Sequence, residues 1–294
     1  MALIAITSQQ PGAGKTAVAA AVARHFAHLG TRVTLARVAD GDRAASDAEF
    51  FASLDFAPGS PASPREAASI ADPGSGRLLV VECGPEAAAA LADAKVVLAA
   101  RGSAPDAVPE GVPLAGIVVT AVPRSSMGAM PADITGAPVI SLEEDRTLAG
   151  FSVSEIRAML RAELLVEGDN GDPSSDYLVV APIGSDAGQP YFMRFPSKAV
   201  VGRFDKTDMH LAALRADTNV LVLSGGRYPS DYVYDAARSM GVPVLLSATD
   251  TENTVIALEG IWDHTRFFGE RKLARMAELL EGSRLFGALE TPQP

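Results

Sequence analysis

The residues Ser8-Gln9-Gln10-Pro11-Gly12-Ala13-Gly14-Lys15-Thr16 are the strongest indication of the fold of the first half of the chain. An apolar run at residues 3–6 precedes it and has the composition of a short buried strand. The residues that follow, 17–28, have helical character and almost no β-branching. A glycine-rich loop between a buried strand and a helix is the setting of a phosphate-binding loop, so the sequence predicts an α/β fold of the P-loop NTPase type.

The residue types in this loop suit a bound polyphosphate. Gly12 and Gly14 let the backbone turn its N–H groups inward, and the helix N-terminus adds a positive dipole end. Lys15 would place its charge against the terminal phosphates, and Thr16 would hold magnesium. The sequence therefore predicts that the chain binds ATP with Mg²⁺. The predicted nucleotide contacts are Gly12, Ala13, Gly14, Lys15, Thr16 and Ala17.

The match to the phosphate-loop pattern G-x-x-x-x-G-K-[ST] is incomplete. Gln9 stands at the position of the first glycine. Gln10 stands where the ParA and MinD variant of the loop carries a second lysine. Two interpretations therefore stay open: a phosphate loop, or a glycine-rich turn that is followed by a surface lysine.

Two carboxylates of the first half are candidate metal ligands. Glu82 closes an apolar run at residues 77–82, and because parallel neighbouring strands end at the same sheet edge, we expect it opposite the loop. Asp47 follows the second predicted strand and either reaches the metal or caps a short helix. The predicted metal ligands are thus Thr16, Asp47 and Glu82, and the predicted catalytic residues are Lys15 and Glu82.

Other reactive residues have weaker signals. Asp40 and Asp42 are alternatives to Asp47 as metal ligands. Arg37, near the end of the second predicted strand, either faces a phosphate or is a solvated charge at the sheet edge. Cys83 and His210 have no recognisable catalytic partner motif, so we expect both to be structural.

Apolar runs without polar alternation recur along the chain and predict strands that are buried on both faces. In the first half they cover residues 31–38, 77–82, 94–100, 114–122 and 138–142. Such runs, separated by helical stretches, imply a mostly parallel sheet sandwiched by helices. A second, smaller α/β domain is predicted from runs at 177–183, 198–201, 219–224 and 242–247.

Turn-forming residues at 166–176 predict a domain boundary, because such residues cannot form a core. We therefore expect a first domain at residues 1–167 and a second domain at 168–294. The Ser-Gly-Gly sequence at 224–226 is either an ordinary tight turn or a second turn whose N–H groups are free for an anion.

Two helix signals flank the strands that are predicted for the second domain. Ser152 and Glu155 have the spacing of a capping box for a helix predicted at 153–165. The tail at 266–285 is amphipathic, and its apolar face either packs on the second domain or forms a subunit interface. The second alternative predicts a homo-oligomer, most simply a two-fold dimer.

Composition limits the classes of partner. The chain has 294 residues, 48% of them hydrophobic, with 25 basic and 36 acidic residues and a net charge of −11. Such a charge disfavours nucleic acid and anionic membranes as main partners, because both would be repelled over most of the surface. Cys83 is the single cysteine, which rules out a disulfide framework within the chain and favours the cytoplasm.

The loop and the acidic strand resemble a known family. The stretch at 8–16, together with Val80-Val81-Glu82-Cys83-Gly84, is similar to the dethiobiotin synthetase-like (BioD-like) branch of P-loop proteins. The resemblance implies that Lys15 and Thr16 contact phosphate and metal, and that Glu82 and Asp47 supply metal acids. Ser8 replaces the usual glycine of that family, and Cys83-Gly84-Pro85 replaces its Gly-Ala-Gly-Gly.

The second half is similar to the DRTGG domain, which lies between a BioD-like domain and the catalytic part of some phosphotransacetylases. Val200-Val201-Gly202-Arg203-Phe204-Asp205-Lys206 and Leu223-Ser224-Gly225-Gly226 stand at its two motifs. Asp205-Lys206 replaces the Asp-Arg pair of that family, and the sequence contains no phosphotransacetylase catalytic part. The resemblance implies a regulatory or docking role.

Three functions follow as hypotheses. The first is an ATP- and Mg²⁺-binding protein that regulates a metabolic enzyme of the acyl-phosphate type or responds to a small-molecule effector. The second is an ATP-dependent, carboxylate-activating ligase of the dethiobiotin synthetase type. The third is an assembly module whose degenerate P-loop no longer binds nucleotide. Whether the chain is an ATPase, a ligase or no enzyme stays open from the sequence.

Overall fold

The computed structural model describes residues 3–71, 73–74, 76–91, 93–109, 112, 114–181 and 188–290. These residues form two compact units. The first unit comprises the described residues up to Asp145 and from Phe267 onward, and the second is Arg146–Arg266. The second unit is therefore inserted into the sequence of the first.

The strands and helices are numbered along the chain. The strands are β1 (Leu3–Thr7), β2 (Arg32–Arg37), β3 (Arg77–Glu82), β4 (Lys95–Arg101), β5 (Leu114–Val122), β6 (Asp133–Ile134), β7 (Ala137–Glu143), β8 (Phe151–Ser152), β9 (Glu163–Val166), β10 (Ser174–Ser175), β11 (Tyr177–Val180), β12 (Lys198–Arg203), β13 (Thr218–Ser224) and β14 (Val244–Leu246). The helices are α1 (Lys15–His28), α2 (Ala44–Ala52), α3 (Pro85–Ala90), α4 (Arg146–Ala149), α5 (Val153–Leu160), α6 (Gly188–Phe192), α7 (Thr207–Leu214), α8 (Asp231–Met240), α9 (Thr251–Leu258), α10 (Ile261–His264), α11 (Glu270–Leu280) and α12 (Arg284–Glu290).

The first unit is built on a seven-stranded sheet of order β2-β3-β1-β4-β5-β7-β6. Its strands are parallel, except that the short β6 is antiparallel to β7. Every residue of β1 is buried, because the strand lies at the middle of the sheet with helices above and below. Ile6 of β1 pairs with Glu82 of β3, so the two strands end side by side.

The second unit is built on a five-stranded sheet of order β11-β12-β13-β14-β9, in which β9 alone runs antiparallel. Alternate residues of its strands supply separate cores on the two faces. On one face Val200 and Leu221 pack with Met209 of α7 and Val233 of α8. On the other face, the core includes residues of α5 and α9. The predicted α/β class, with a large mostly parallel sheet and a second α/β unit, is confirmed.

The structure divides the chain at different places from the predicted boundary at 168. The capping box is present, with Ser152 Oγ accepting from Glu155 N at 3.3 Å, but α5 ends at Leu160 rather than at 165. Arg161 takes a left-handed conformation, with φ of 49°, and the next residues form β9 on the edge of the second sheet. The segment before 168 thus belongs to the second unit, because its apolar residues pack on that sheet.

The C-terminal tail belongs to the first unit and not to the second. Helix α11 packs along α1, where Arg24 and Glu270 form an ion pair of 2.6 Å. Leu273, Met276 and Leu280 are buried. The apolar face of the tail is therefore covered within the unit, and it no longer indicates a subunit interface.

Helix α12 packs against β5 and β7. Gly116 in β5 makes this packing possible, since a Cβ there would lie 2.6 Å from Leu285 Cδ1. The buried Lys95 Nζ donates to the carbonyl oxygens of Ala288 and Leu289, at 3.0 and 2.9 Å, near the C-terminus of α12. The contact between α12 and the sheet thus combines close apolar packing at Gly116 with hydrogen bonds from Lys95.

Candidate functional site

The loop at residues 8–14, which we call the glycine loop, joins β1 to α1. Ser8 Oγ accepts from Gln10 N at 2.9 Å and closes its first turn. Gly12 and Gly14 have φ angles of 70° and 84°, in the left-handed region that favours glycine. A Cβ at position 14 would also lie 3.2 Å from Thr120 Cγ2 of β5. The loop conformation therefore requires glycine at position 14 for two separate reasons.

The glycine loop keeps its amide donors free. The N–H groups of Gly12, Ala13 and Gly14 donate no hydrogen bond to any acceptor in the described part of the chain. The carbonyl oxygen of Ala13 is instead held by Thr120 Oγ1, which donates to it at 3.1 Å. Lys15, at the first position of α1, forms no ion pair with any described residue. The loop thus offers amide donors and one cation at a helix N-terminus, a combination that suits an anion.

Glu82 lies beside the glycine loop, at the end of β3. Only 2% of the residue is exposed. Its Oε2 has no hydrogen-bond partner among the described residues, whereas Oε1 lies 3.5 Å from Arg37 Nε. Burial raises the pKa of Glu82 to about 7, although the charges of Arg37 and Lys15 and the nearby Thr16 side chain lower it. A cation bound beside it would stabilise the charged form of an unpartnered carboxylate in such surroundings.

Arg37 is a buried counter-ion, so the predicted alternative of a solvated charge at the sheet edge is wrong, while a contact with phosphate stays a prediction. It is 4% exposed, and its Nε lies 3.5 Å from Asp47 Oδ2 as well as from Glu82. Its Nη1 forms an ion pair with Asp40, and the second oxygen of Asp40 accepts from Gly84 N at 2.6 Å. Arg37 therefore joins three carboxylates at the ends of β2 and β3 and does not face solvent.

Asp47 is the better placed of the carboxylates that follow β2. It lies on α2, half-buried, where burial raises its pKa while Arg37 lowers it. Asp40 is held by Arg37 and Gly84, and Asp42 is exposed. The structure thus brings the predicted ligands Asp47 and Glu82 to one guanidinium group, and the Thr16 hydroxyl to Glu82.

A magnesium ion fits these residues only as part of a nucleotide complex. No group of three or more His, Cys, Asp and Glu side chains in the described ranges could hold a metal by itself. Mg²⁺ usually keeps several waters and binds through one or two carboxylates together with substrate phosphates. The unpartnered Oε2 of Glu82, near the Thr16 hydroxyl, meets that limited requirement.

A cavity on the other side of the glycine loop has no counterpart in the sequence-based prediction. Its volume is about 250 Å³, and it is lined by Gln9, Gln10, Leu98, Ala99, Ala100, Pro105, Asp106 and Ala107. Beside it, Arg101 Nη1 at the end of β4 lies 3.4 Å from the Gly12 carbonyl oxygen. The two glutamines that depart from the phosphate-loop pattern are thus cavity residues. The signal for this cavity that the sequence offered was Arg101, the last residue of β4.

The Ser-Gly-Gly turn of the second unit (Ser224, Gly225 and Gly226) is an ordinary turn. Gly225 N donates to Thr249 O at 2.7 Å, and Gly226 N donates to Ser247 O at 3.0 Å. The alternative that these N–H groups are free for an anion is therefore wrong. Gly225 has φ of 100°, and a Cβ there would lie 2.9 Å from Phe204 Cδ1, so the glycine makes room for that ring.

His210 and Cys83 are both buried. His210 Nε2 lies 2.8 Å from the Arg203 carbonyl oxygen, and burial lowers the pKa of this histidine to about 4. Burial raises the pKa of the Cys83 thiol to about 12. At neutral pH both side chains are uncharged, as structural residues in a core would be.

Comparison with known proteins identifies the second unit. Residues 155–261 match the DRTGG domain, and this domain is therefore present in the chain. A solved structure that is similar to the chain contains the CBS and DRTGG domains of the regulatory region of a Clostridium perfringens pyrophosphatase, complexed with the activator diadenosine tetraphosphate. The identity is 15% and the TM-score 0.36, with 42% of this chain and 54% of that chain covered. The match thus spans about half the length of that structure.

None of the described helices is long and apolar enough to cross a membrane.

Proposed function

We propose that the first unit binds ATP with Mg²⁺ through the glycine loop, and that the chain is a nucleotide-dependent regulatory protein of a metabolic enzyme. The observation that carries this proposal is the pairing of free amide donors with an unpartnered acid. The N–H groups of Gly12, Ala13 and Gly14 have no described acceptor, and the Oε2 of Glu82 has no described donor. A magnesium–phosphate complex would satisfy both.

The residues have separate roles in this proposal. The amides at 12–14 and Lys15 bind the phosphates, and Thr16 and Glu82 hold the metal, with Asp47 as a second acid. Bound Mg²⁺ would supply charge neutralisation at the phosphates. Arg37 keeps the two acids close together in the absence of the metal, since it is ion-paired to both. The DRTGG domain supplies the regulatory part, either by docking to an enzyme or by binding an effector.

Isothermal titration of the full chain with ATP, with and without Mg²⁺, tests this proposal. We expect binding that Mg²⁺ strengthens, and we expect Glu82→Gln to remove most of that gain while leaving metal-free binding nearly unchanged. Asp42→Asn is the matched control, because Asp42 is an exposed carboxylate of the same region. An equal magnesium effect in Glu82→Gln would reassign the metal to Asp47 or Asp40. Absence of ATP binding in the wild type would instead support the degenerate assembly module.

The cavity beside the glycine loop favours a second candidate, an ATP-dependent carboxylate-activating ligase. A space of about 250 Å³ next to the predicted phosphate site gives room for a small second substrate. Phosphate release would then depend on an added carboxylate. Measuring released phosphate with ATP alone and with a panel of small carboxylic acids separates the two candidates, since a purely regulatory protein would show no dependence on the acid.

A further inference from the structure

The glycine loop uses its carbonyl groups within the protein, whereas its central amide groups stay free. The Gln10 carbonyl oxygen accepts from Ser8 Oγ at 2.7 Å, and the Gly14 carbonyl oxygen accepts from Val18 N at 3.0 Å in the first turn of α1. The carbonyl oxygens at 12 and 13 also have donors, but the N–H groups at 12–14 have no described acceptor. The loop suits an anion only while its carbonyl groups keep these partners, because a carbonyl oxygen that turned towards the ligand would repel it.

Two residues of neighbouring strands hold the central carbonyl groups of the loop. Thr120, in β5, donates from Oγ1 to the Ala13 carbonyl oxygen at 3.1 Å. Arg101, the last residue of β4, has its Nη1 3.4 Å from the Gly12 carbonyl oxygen. Arg101 and Thr120 are partners in the register of the parallel pair β4–β5. They therefore reach the loop from adjacent positions at the carboxyl edge of one sheet.

The contact made by Thr120 is the stronger of the two. The distance from Arg101 exceeds the ordinary range of about 2.7–3.2 Å for an N–H···O hydrogen bond, and the side chain of Arg101 is exposed. Thr120 is buried, and Ala13 is 1% exposed. Little water can therefore reach the Ala13 carbonyl oxygen in place of the hydroxyl, and a buried acceptor without a partner is costly.

Both branches of the Thr120 side chain lie against neighbouring backbone. Oγ1 is also 3.2 Å from the Ala100 carbonyl oxygen of β4, so the single hydroxyl proton is shared between two carbonyl groups. The methyl carbon Cγ2 lies beside Gly14, 3.2 Å from where a Cβ would be. Serine would keep the hydroxyl and lose the methyl group, and valine would do the reverse. The two substitutions thus separate the hydrogen bond from the packing.

We propose that Thr120 and Arg101 are positioning residues for anion binding at the glycine loop. They hold the carbonyl groups at 12 and 13 towards the ends of β4 and β5, and they thereby keep the N–H groups at 12–14 available for phosphate. Thr120 contributes most, through its hydroxyl. This inference rests on the proposed function for its consequence, which is the affinity for ATP. The order of the nucleotide-free loop does not depend on ATP.

NMR relaxation of the backbone ¹⁵N nuclei in the nucleotide-free full chain tests the order of the loop. In Thr120→Val we expect the order parameters of the N–H groups at 12–14 to fall from about 0.85, typical of a rigid backbone, towards about 0.6. Thr120→Ser should keep the wild-type values. Arg101→Ala should lower them by less, because its contact is longer. Arg77→Ala is the matched control for Arg101→Ala, since Arg77 is an exposed arginine at the start of β3, away from the carboxyl edge.

Calorimetric titration with ATP and Mg²⁺ tests the consequence. Thr120→Val should weaken ATP binding about fivefold, as expected for the loss of one hydrogen bond, and Thr120→Ser should stay within about twofold of the wild type. Thr218→Val is the matched control and should leave ATP affinity unchanged. Thr218 Oγ1 donates to the Ala213 carbonyl oxygen at 2.7 Å in the second unit, so this variant loses the same kind of bond without touching the loop.

Lower order parameters and weaker ATP binding in Thr120→Val, with both retained in Thr120→Ser, support the proposal. Unchanged order parameters in Thr120→Val, or an equal fall in both variants, overturn it, and so does wild-type ATP affinity in Thr120→Val. If Thr120→Val does not fold, Arg101→Ala decides, because order parameters equal to those of Arg77→Ala would also overturn it. If the wild type binds no ATP, the proposed function fails while the order parameters still decide the positioning.

Discussion

Each sheet carries a glycine turn at the carboxyl end of a parallel strand, and the two turns use their backbone N–H groups differently. In the glycine loop the N–H groups at 12–14 have no described acceptor. In the Ser-Gly-Gly turn Gly225 N and Gly226 N donate to the carbonyl oxygens of Thr249 and Ser247. A glycine-rich turn after a strand therefore does not by itself make an anion site. The neighbouring backbone decides whether the donors are already used.

The neighbouring strands explain this difference. The chain that follows β14 runs close to the Ser-Gly-Gly turn and presents two carbonyl groups to it. The strand beside the glycine loop presents the Thr120 hydroxyl, which takes up the Ala13 carbonyl and leaves the amides free. Phe204 fills the space next to Gly225, whereas nothing lies within 4 Å of a Cβ placed at Gly12. One turn is therefore filled by the protein and the other is open.

The largest effect on stability should come from adding a side chain to the Ser-Gly-Gly turn. We expect Gly225→Ala to lower the free energy of unfolding of the second unit by roughly 4 kcal/mol, because it combines a left-handed backbone with a clash against Phe204. Urea unfolding followed by the fluorescence of Trp262, the single tryptophan, reports on this unit. Gly171→Ala is the control, since it has φ of 66° with open space, and an equal loss there would contradict the role of Phe204.

The second comparison concerns two buried ionisable groups, Glu82 in the first unit and His210 in the second. His210 has a pKa of about 4 in the fold and about 6.5 when unfolded, so the unfolded chain binds more protons between these values. The second unit should therefore lose up to about 3 kcal/mol of stability as the pH falls from 6.5 to 4. Trp262 fluorescence at several pH values measures this. The same slope in His210→Gln would show that other groups are responsible.

The third prediction concerns the cation beside each turn. Lys15→Ala should lower ATP affinity tenfold or more, about 1.4 kcal/mol, because a charge-assisted contact to phosphate is lost. Arg227→Ala, which removes the exposed cation after the Ser-Gly-Gly turn, should leave ATP affinity unchanged. Calorimetric titration of both variants decides this. Equal affinities in Lys15→Ala and the wild type would remove the assignment of the glycine loop.

The smallest effect is expected at Gly12. Because the position is open, Gly12→Ala should cost only the left-handed backbone strain, about 1 kcal/mol, in thermal unfolding of the first unit. Gly14→Ala should cost more, since its Cβ would meet Thr120. If Gly12→Ala were the more harmful of the two, the space around the loop would differ from the one described.

Local patterns predicted much of both sheets. The runs at 77–82 and 114–122 coincide with β3 and β5, and the capping box at Ser152 is present. The short strand β9 was missed because its apolar residues follow directly on a helix, and Arg161 ends that helix without a glycine. A left-handed arginine leaves no signal in the sequence, because this conformation favours glycine and is uncommon for other residues.

Sequence patterns were enough to predict the two α/β sheets, the glycine loop between β1 and α1, and the placement of Glu82 at the end of a neighbouring strand. These follow from periodicity and from the rule that parallel strands share a carboxyl edge. The folded structure was needed to show which amides stay free, that Arg37 is paired with three carboxylates, and that the tail returns to the first unit. Each of those depends on which residues far apart in the chain become neighbours, and an amphipathic or charged pattern does not specify its partner.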